Sequence, residues 1–236
     1  MQSAVFSQRR QTILYDADRL PRPSPLWFSA AHWPGAQALS GGRGASWLIA
    51  TPYGPAVLRR ARRGGWMAKL STERYWFSGA ARSRSFREWR CLAHLHAHHV
   101  DCVPQPWAAY CEQHGWAAEQ ALLTGFIPGK PLPEWPAGPL AEPELWRRIG
   151  ALLARLCRTG VAHRDFHLGN ILLDDDRRLW ILDFDRARCI PGRTFNGRAQ
   201  IRRLVHSLRR RRERLPTLPE PAAARVWLRQ GWAAAG

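Results

Sequence analysis

The sequence predicts an α+β protein in two lobes, a small β-rich N-lobe followed by a mostly helical C-lobe. Three observations lead there. Short apolar runs bounded by Gly and Pro dominate the first half, as strands do. A Pro-rich stretch, PGKPLPEWPAGPLAEP (128–143), reads as a connector. After it, apolar residues recur every three or four positions, the period of an amphipathic helix. At 236 residues and 45% hydrophobic content, the chain can bury one sizeable core or two smaller ones sharing a cleft. The expected divisions are an N-terminal arm (1–25), an N-lobe (26–126) and a C-lobe (127–236).

Residues 1–25 are polar and close on PRPSP, which suggests an irregular arm. Residues 36–65 then read as strand, Gly-rich turn, strand, tight turn, strand. In 83–99, Phe86, Trp89, Leu92 and Leu95 recur at threes on one helix face. Residues 103–127 suggest two strands around a His-Gly turn. The clearest helix is 142–160, with Pro143 near its start, Leu145, Ile149, Leu152 and Leu156 on one side and Gly160 as its stop. A second amphipathic helix is expected at 198–214, and a short Trp-containing helix ends the chain. Strands first and helices afterwards favour an α+β arrangement over alternating βα units.

Charge is the outlier. The formal net charge is +18, and of 36 cationic residues only Lys69 and Lys130 are lysine. Such a field favours polyanionic partners: nucleic acid, an acidic membrane surface or a phosphorylated glycolipid. Thirteen Trp residues fit a membrane interface as well as a core. The sequence carries no RNP, KH or zinc-finger pattern, so nucleic acid is not the expected partner. No apolar run approaches the ~20 residues that span a bilayer, and the N-terminus lacks a signal-peptide core, so the chain reads as cytoplasmic. Cys91, Cys102, Cys111, Cys157 and Cys189 are scattered and odd in number, without a CxxC pair, as idle thiols are.

The chemistry concentrates in VAHRDFHLGNILLDDDRRLWILDFDRAR (161–188). Two short strands, 171–173 and 179–182, flank an acidic turn. As a hairpin they bring the residues before the first strand beside those after the second, so Asp165 and Asn170 approach Asp183. An Asn amide oxygen with an Asp carboxylate is an oxygen set suited to Mg²⁺, which takes few protein ligands and completes its shell with water and phosphate. Asp165 can accept the proton of an attacking hydroxyl.

These residues, His163-Arg164-Asp165 with Asn170 and then Asp183-Phe184-Asp185, resemble the protein-kinase-like fold, with its HRDxxxxN loop and DFG segment. The resemblance implies a Gly-rich turn, a third-strand cation and a helical Glu upstream. Gly41-Gly42-Arg43-Gly44-Ala45-Ser46 fits the turn, because backbone N–H groups reach phosphate where no side chain intervenes. The third strand reads Ala56-Val57-Leu58-Arg59, with Arg in place of Lys; Lys69 is the rival cation. Strand alternation puts Val57 and Arg59 on one face. Glu88 on the following helix can face that cation, or pair locally with Arg84 or Arg87. His94 and His98 share helical spacing without the Glu of a zinc motif, and read as a polar helix end.

His167 stands where a protein kinase has its catalytic-loop Lys, and no Ala-Pro-Glu follows the DFD segment. HxDxHxxN is similar to small-molecule kinases. The runs VLRRARRGGWMAKLSTERYWF (57–77), RSFREWRCLAHL, HRDFHLGNILLD, WILDFDRAR and RRLVHSLRR resemble the Kdo (3-deoxy-D-manno-octulosonic acid) kinase family over roughly residues 35–210, departing from it at His167 and His206. That resemblance implies ATP-dependent phosphorylation of the Kdo 4-hydroxyl on a lipid A precursor, by a peripheral enzyme at the cytoplasmic leaflet of the bacterial inner membrane. It implies Asp165 as catalytic base, Asn170 and Asp183 as Mg²⁺ ligands, and Gly42, Gly44, Ser46 and Arg59, with Glu88, at ATP. The anionic acceptor suits Arg62, Arg63, Arg82, Arg84 and the run Arg209–Arg212. The helix over 198–214, apolar on one stripe and basic elsewhere, has the composition of an interfacial helix, or of a C-lobe helix with solvated arginines.

Overall fold

The computed structural model describes residues 1–39, 45–61, 79–115, 117–216 and 218–235. Gly42, Gly44, Arg62, Arg63 and Lys69, and most of the run at 57–77, lie outside them. The chain divides into two compact units, Met1–Ala93 with Pro104–Phe126 and His94–Val103 with Ile127–Gly236.

The first unit is built on a seven-stranded antiparallel sheet. Its strands are β1 (Ser3–Gln8), β2 (Gln11–Asp16), β3 (Gln37–Ala38), β4 (Ala45–Thr51), β5 (Gly54–Ala61), β6 (Pro106–His114) and β7 (Ala117–Gly125), in the order β1-β2-β6-β7-β5-β4-β3. Alternation gives the sheet a buried face: in β5, Ala56 and Leu58 are fully buried while Val57 and Arg59 turn the other way. Ile13, Phe28, Ile49, Trp107, Tyr110 and Leu123 belong to the core on the covered side, where Phe28 stacks on Tyr110 with ring centroids 4.9 Å apart.

Residues 3–16 correct the expected irregular arm. They form the β1–β2 hairpin, and β2 pairs with β6 from Gln11 opposite Glu112 to Tyr15 opposite Ala108. The turn is Arg9-Arg10, with Arg9 in the left-handed region at φ 54°. A turn without Gly or Asn leaves no mark in the sequence. Asp16 then fastens the end of β2, its Oδ1 accepting the Gln2 N–H at 3.0 Å.

Helix α1 (Arg84–Ala97) buries Phe86, Trp89, Leu92 and Leu95. Ser83 caps it, its hydroxyl accepting the Phe86 N–H at 3.3 Å. Gln120 of β7 accepts the Arg84 and Ser85 N–H groups at 2.8 and 3.3 Å. These bonds tie the helix start to the sheet.

In the second unit, helix α2 (Ala137–Ala141) leads into α3 (Pro143–Arg158), whose stripe Leu145, Ile149, Leu152 and Leu156 is buried. Helix α4 (Arg198–Arg212) buries Ile201, Leu204, Val205 and Leu208. Helix α5 (Pro221–Ala234) lies against α3 at very close range: a Cβ on Gly231 would sit 1.8 Å from the Arg147 carbonyl, and one on Gly150 2.1 Å from that of Leu228. Only glycine allows that approach. Short strands complete the unit: β8 (Lys130–Pro131), β10 (Ile171–Leu173) and β11 (Leu179–Ile181) form one sheet, and β9 (Val161–Ala162) pairs with β12 (Arg188–Cys189). The Pro-rich connector is thus partly structured, because β8 borrows its pairing from β10. Among the described residues no disulfide joins the five cysteines, and burial pushes the Cys157 thiol up to about 12, which leaves it inert.

Candidate active site

In the first unit, strand register brings two expected residues together. Ser46 of β4 lies directly opposite Arg59 of β5, on one face of the sheet. The Arg59 guanidinium donates to the Glu88 carboxylate of α1, forming an ion pair. Glu88 is only 4% exposed, so burial would oppose its charge without a cation beside it. One turn of helix separates Glu88 from the helix start that Gln120 holds to the sheet, and its carboxylate meets Arg59 of β5. Of the two partners the sequence offered Glu88, the third-strand cation is the one observed. Arg59 keeps side-chain exposure of 33%, enough to meet an anion as well.

In the second unit, Val161–Ala162 pairs with Arg188–Cys189. The β10–β11 hairpin joins Ile171 to Ile181. Between these pairings the loop 163–170 and Asp183 are fixed from both ends. Leu182 donates its N–H to the Asn170 carbonyl at 2.9 Å, and His163 Nε2–H donates to the Leu182 carbonyl at 2.9 Å. Asn170 Nδ2 donates to the Asp165 carbonyl at 3.0 Å. The amide oxygen of Asn170, its one possible metal ligand, is thereby left to the other side.

Asp183 adopts a left-handed backbone at φ 63°, a conformation Asp tolerates at some cost. The next residue, Phe184, is 1% exposed, so the turn buries the phenyl ring while Asp183 stays partly exposed. An amide oxygen and a carboxylate at the two ends of one short hairpin form a donor set that fits a hard divalent cation.

His163 is the residue whose part the motif alone did not reveal. It is 1% exposed, wedged edge-on to Phe184 and Phe166 with centroids 4.8 and 5.6 Å away. Burial pushes its pKa below the ordinary imidazole value. The Leu182 hydrogen bond and the charges of Asp183 and Asp165 oppose the shift without reversing it. Neutral His163 thus holds the backbone just before Asp183. Its place between the loop and the second strand's exit was the available signal.

Asp174 was also missed as more than an acidic turn residue. Its carboxylate accepts from the Arg178 N–H at 2.7 Å and from Trp180 Nε1–H at 2.9 Å, closing the hairpin turn. Burial opposes ionisation of Asp174, but these bonds outweigh it and hold the carboxyl below its usual value. His94 and His98 serve the backbone, as a polar helix end does: their rings reach the Thr159 and His94 carbonyls at 2.6 and 2.8 Å.

Comparison with known proteins fits this chemistry. Residues 35–233 match the model of the "Lipopolysaccharide kinase (Kdo/WaaP) family". A protein of Stenotrophomonas maltophilia (strain R551-3) named "3-deoxy-D-manno-octulosonic acid kinase" is 37% identical over 207 residues, covering 83% of this chain and 79% of its own length. Proteins of the same name from Xylella fastidiosa (strain 9a5c) and Photobacterium damsela subsp. piscicida are 36% and 33% identical, covering 85% and 80% of this chain and 81% and 80% of their own. With a loop and hairpin of kinase type in place and this match across most of its length, the chain belongs to the lipopolysaccharide kinase (Kdo/WaaP) family.

Proposed function

We propose that this chain is an ATP-dependent kinase that phosphorylates the 4-hydroxyl of a Kdo residue on a lipid A precursor, a step of lipopolysaccharide inner-core assembly. The observation that carries the chemistry is the locked loop 163–170 followed by the left-handed Asp183. The family match and the names of the relatives support the acceptor.

Asp165 acts as the base. The acceptor hydroxyl oxygen forms a bond to the γ-phosphorus of ATP, the bond to the β–γ bridging oxygen breaks, ADP leaves and the hydroxyl proton passes to Asp165. Asn170 and Asp183 hold Mg²⁺, which supplies charge neutralisation for the phosphates. Arg59, oriented by Glu88, binds phosphate with a guanidinium where most kinases use an ammonium. Ser46 lies opposite it, and Gly42 and Gly44, outside the described residues, are assigned to phosphate by the sequence motif alone. Lys69 stays a rival for the part of Arg59.

The substrate is a membrane glycolipid, and we place the enzyme peripherally on the cytoplasmic leaflet of the inner membrane. Among the described residues no helix is long and apolar enough to cross a membrane. Exposed arginines of α4, including Arg202, Arg203, Arg209 and Arg210, supply cations for an anionic surface, each worth on the order of 1 kcal/mol near it.

The test is phosphate transfer from labelled ATP, with Mg²⁺, to a Kdo-bearing lipid A precursor and, separately, to a heptose-bearing core acceptor. Label on the Kdo acceptor is expected. Label on the heptose acceptor alone would move the activity to a heptose kinase, and a folded protein labelling neither would refute the proposal.

A further inference from the structure

We propose that Arg211 is the anion-binding residue of the catalytic loop, holding an oxyanion of one reactant: the acceptor's carboxylate or the phosphoryl group in transit. This rests on the reading that the loop transfers phosphate, and adds to it a cation from outside the sequence motif.

The loop from His163 to Asn170 contains no lysine. Its His167 ring is spent as a cap: Nδ1 accepts the Gly169 N–H at 3.1 Å, which leaves the ring's proton on Nε2. Helix α4 carries Gln200, Leu204, Ser207 and Arg211 on one stripe at helical spacing, and the last two reach the loop. Ser207 Oγ accepts the Leu168 N–H at 3.4 Å. One turn further on, the Arg211 guanidinium lies 3.7 Å from where a Cβ on Gly169 would stand, and the His167 ring lies 3.2 Å from that same point. The Arg211 guanidinium thus stands within van der Waals reach of the loop that carries Asp165 and Asn170.

The neighbouring arginine shows the contrast. Arg212 is held by Glu220 at 2.5 Å and by the Leu218 carbonyl at 3.2 Å. Arg211 has no carboxylate within 4.0 Å among the described residues. A cation in the last helical turn is favoured by the helix dipole in any case. The dipole does not choose which of four consecutive arginines meets the loop; the Ser207 anchor does. A guanidinium presents a planar fork of donors that matches carboxylate and phosphate alike.

The experiment compares the full chain with Arg211→Ala, Arg211→Lys and, for the same loss of charge on α5, Arg225→Ala. Transfer to a Kdo-bearing lipid A precursor is followed while acceptor and ATP are varied separately, and binding of free Kdo and of Mg-ATP is measured by titration calorimetry. Arg211→Ala is expected to lower kcat/KM by about 10- to 100-fold. Arg211→Lys should recover part of that, and Arg225→Ala should match the parent. A raised KM for acceptor with KM for ATP unchanged assigns the carboxylate. A fallen kcat with both KM values unchanged assigns the phosphoryl group. Parental kcat and KM values in Arg211→Ala would overturn the inference. A parent protein unable to phosphorylate any Kdo acceptor would count against the proposed function instead. Calorimetry then decides the ground-state role of Arg211: weaker binding of free Kdo in Arg211→Ala supports the carboxylate as its ligand, and unchanged binding of free Kdo overturns that assignment.

Discussion

His163 ties the loop of Asp165 and Asn170 to the turn of Asp183 through one hydrogen bond to the Leu182 carbonyl, and it can do so only as a fully buried ring. Burial holds its folded pKa below the unfolded value near 6.5. The sign follows: above about pH 6.5 both states hold a neutral ring and the stability is complete, and as pH falls below that value the unfolded chain takes up a proton the fold excludes. Denaturant unfolding measured from about pH 7.5 to 5.5 is expected to show falling stability in the parent, with this residue adding at most ~1.4 kcal/mol per pH unit. The slope should flatten in His163→Gln. An equal slope in both would mean that His163 carries no such penalty. That Asp165, Asn170 and Asp183 lie on one loop and its hairpin was legible in their spacing. The run Arg209–Arg212 stood out by charge, but its member that meets the loop did not, since the approach of Arg211 to Gly169 comes from packing between segments far apart in sequence.

The elements show the same division at larger size. Helix α3 was readable because its buried stripe and its stop at Gly160 are both periodic facts of the chain. The β10–β11 hairpin was readable because its acidic turn has a standard chemistry, completed by the two bonds to Asp174. The β1–β2 hairpin was not, because its turn is two arginines. Strand β8 was not, because two residues carry no period and their partner lies in β10. The α3–α5 contact was not legible either, since a glycine in a helical pattern does not announce what approaches it. Gly231→Ala puts a Cβ 1.8 Å from the Arg147 carbonyl, so α5 must shift. A loss of about 1–3 kcal/mol in unfolding free energy is expected. An unchanged denaturation midpoint would show that α5 can move away freely.

For the molecule as a whole, charge is the dominant property. A net +18 on 236 residues predicts attraction to anionic surfaces that weakens with salt. Sedimentation with phosphatidylglycerol-containing vesicles at low salt is expected, with little binding to neutral phosphatidylcholine vesicles and release as salt rises. Reversing Arg209 and Arg210 to Glu should weaken binding; equal binding to neutral vesicles would instead point to apolar attachment. Composition told of an anionic partner but did not choose among the polyanions, whereas the loop and hairpin point to phosphotransfer, and the family match narrows the acceptor. The most direct test of phosphotransfer to Kdo through Asp165 is the mass spectrum of a Kdo-bearing lipid A precursor after incubation with ATP and Mg²⁺, for the parent and for Asp165→Asn. The account predicts one added phosphate on the Kdo fragment with the parent, and a rate lowered by about 10²- to 10⁴-fold in the variant. Phosphate on another part of the lipid, or equal rates in the two proteins, would contradict it.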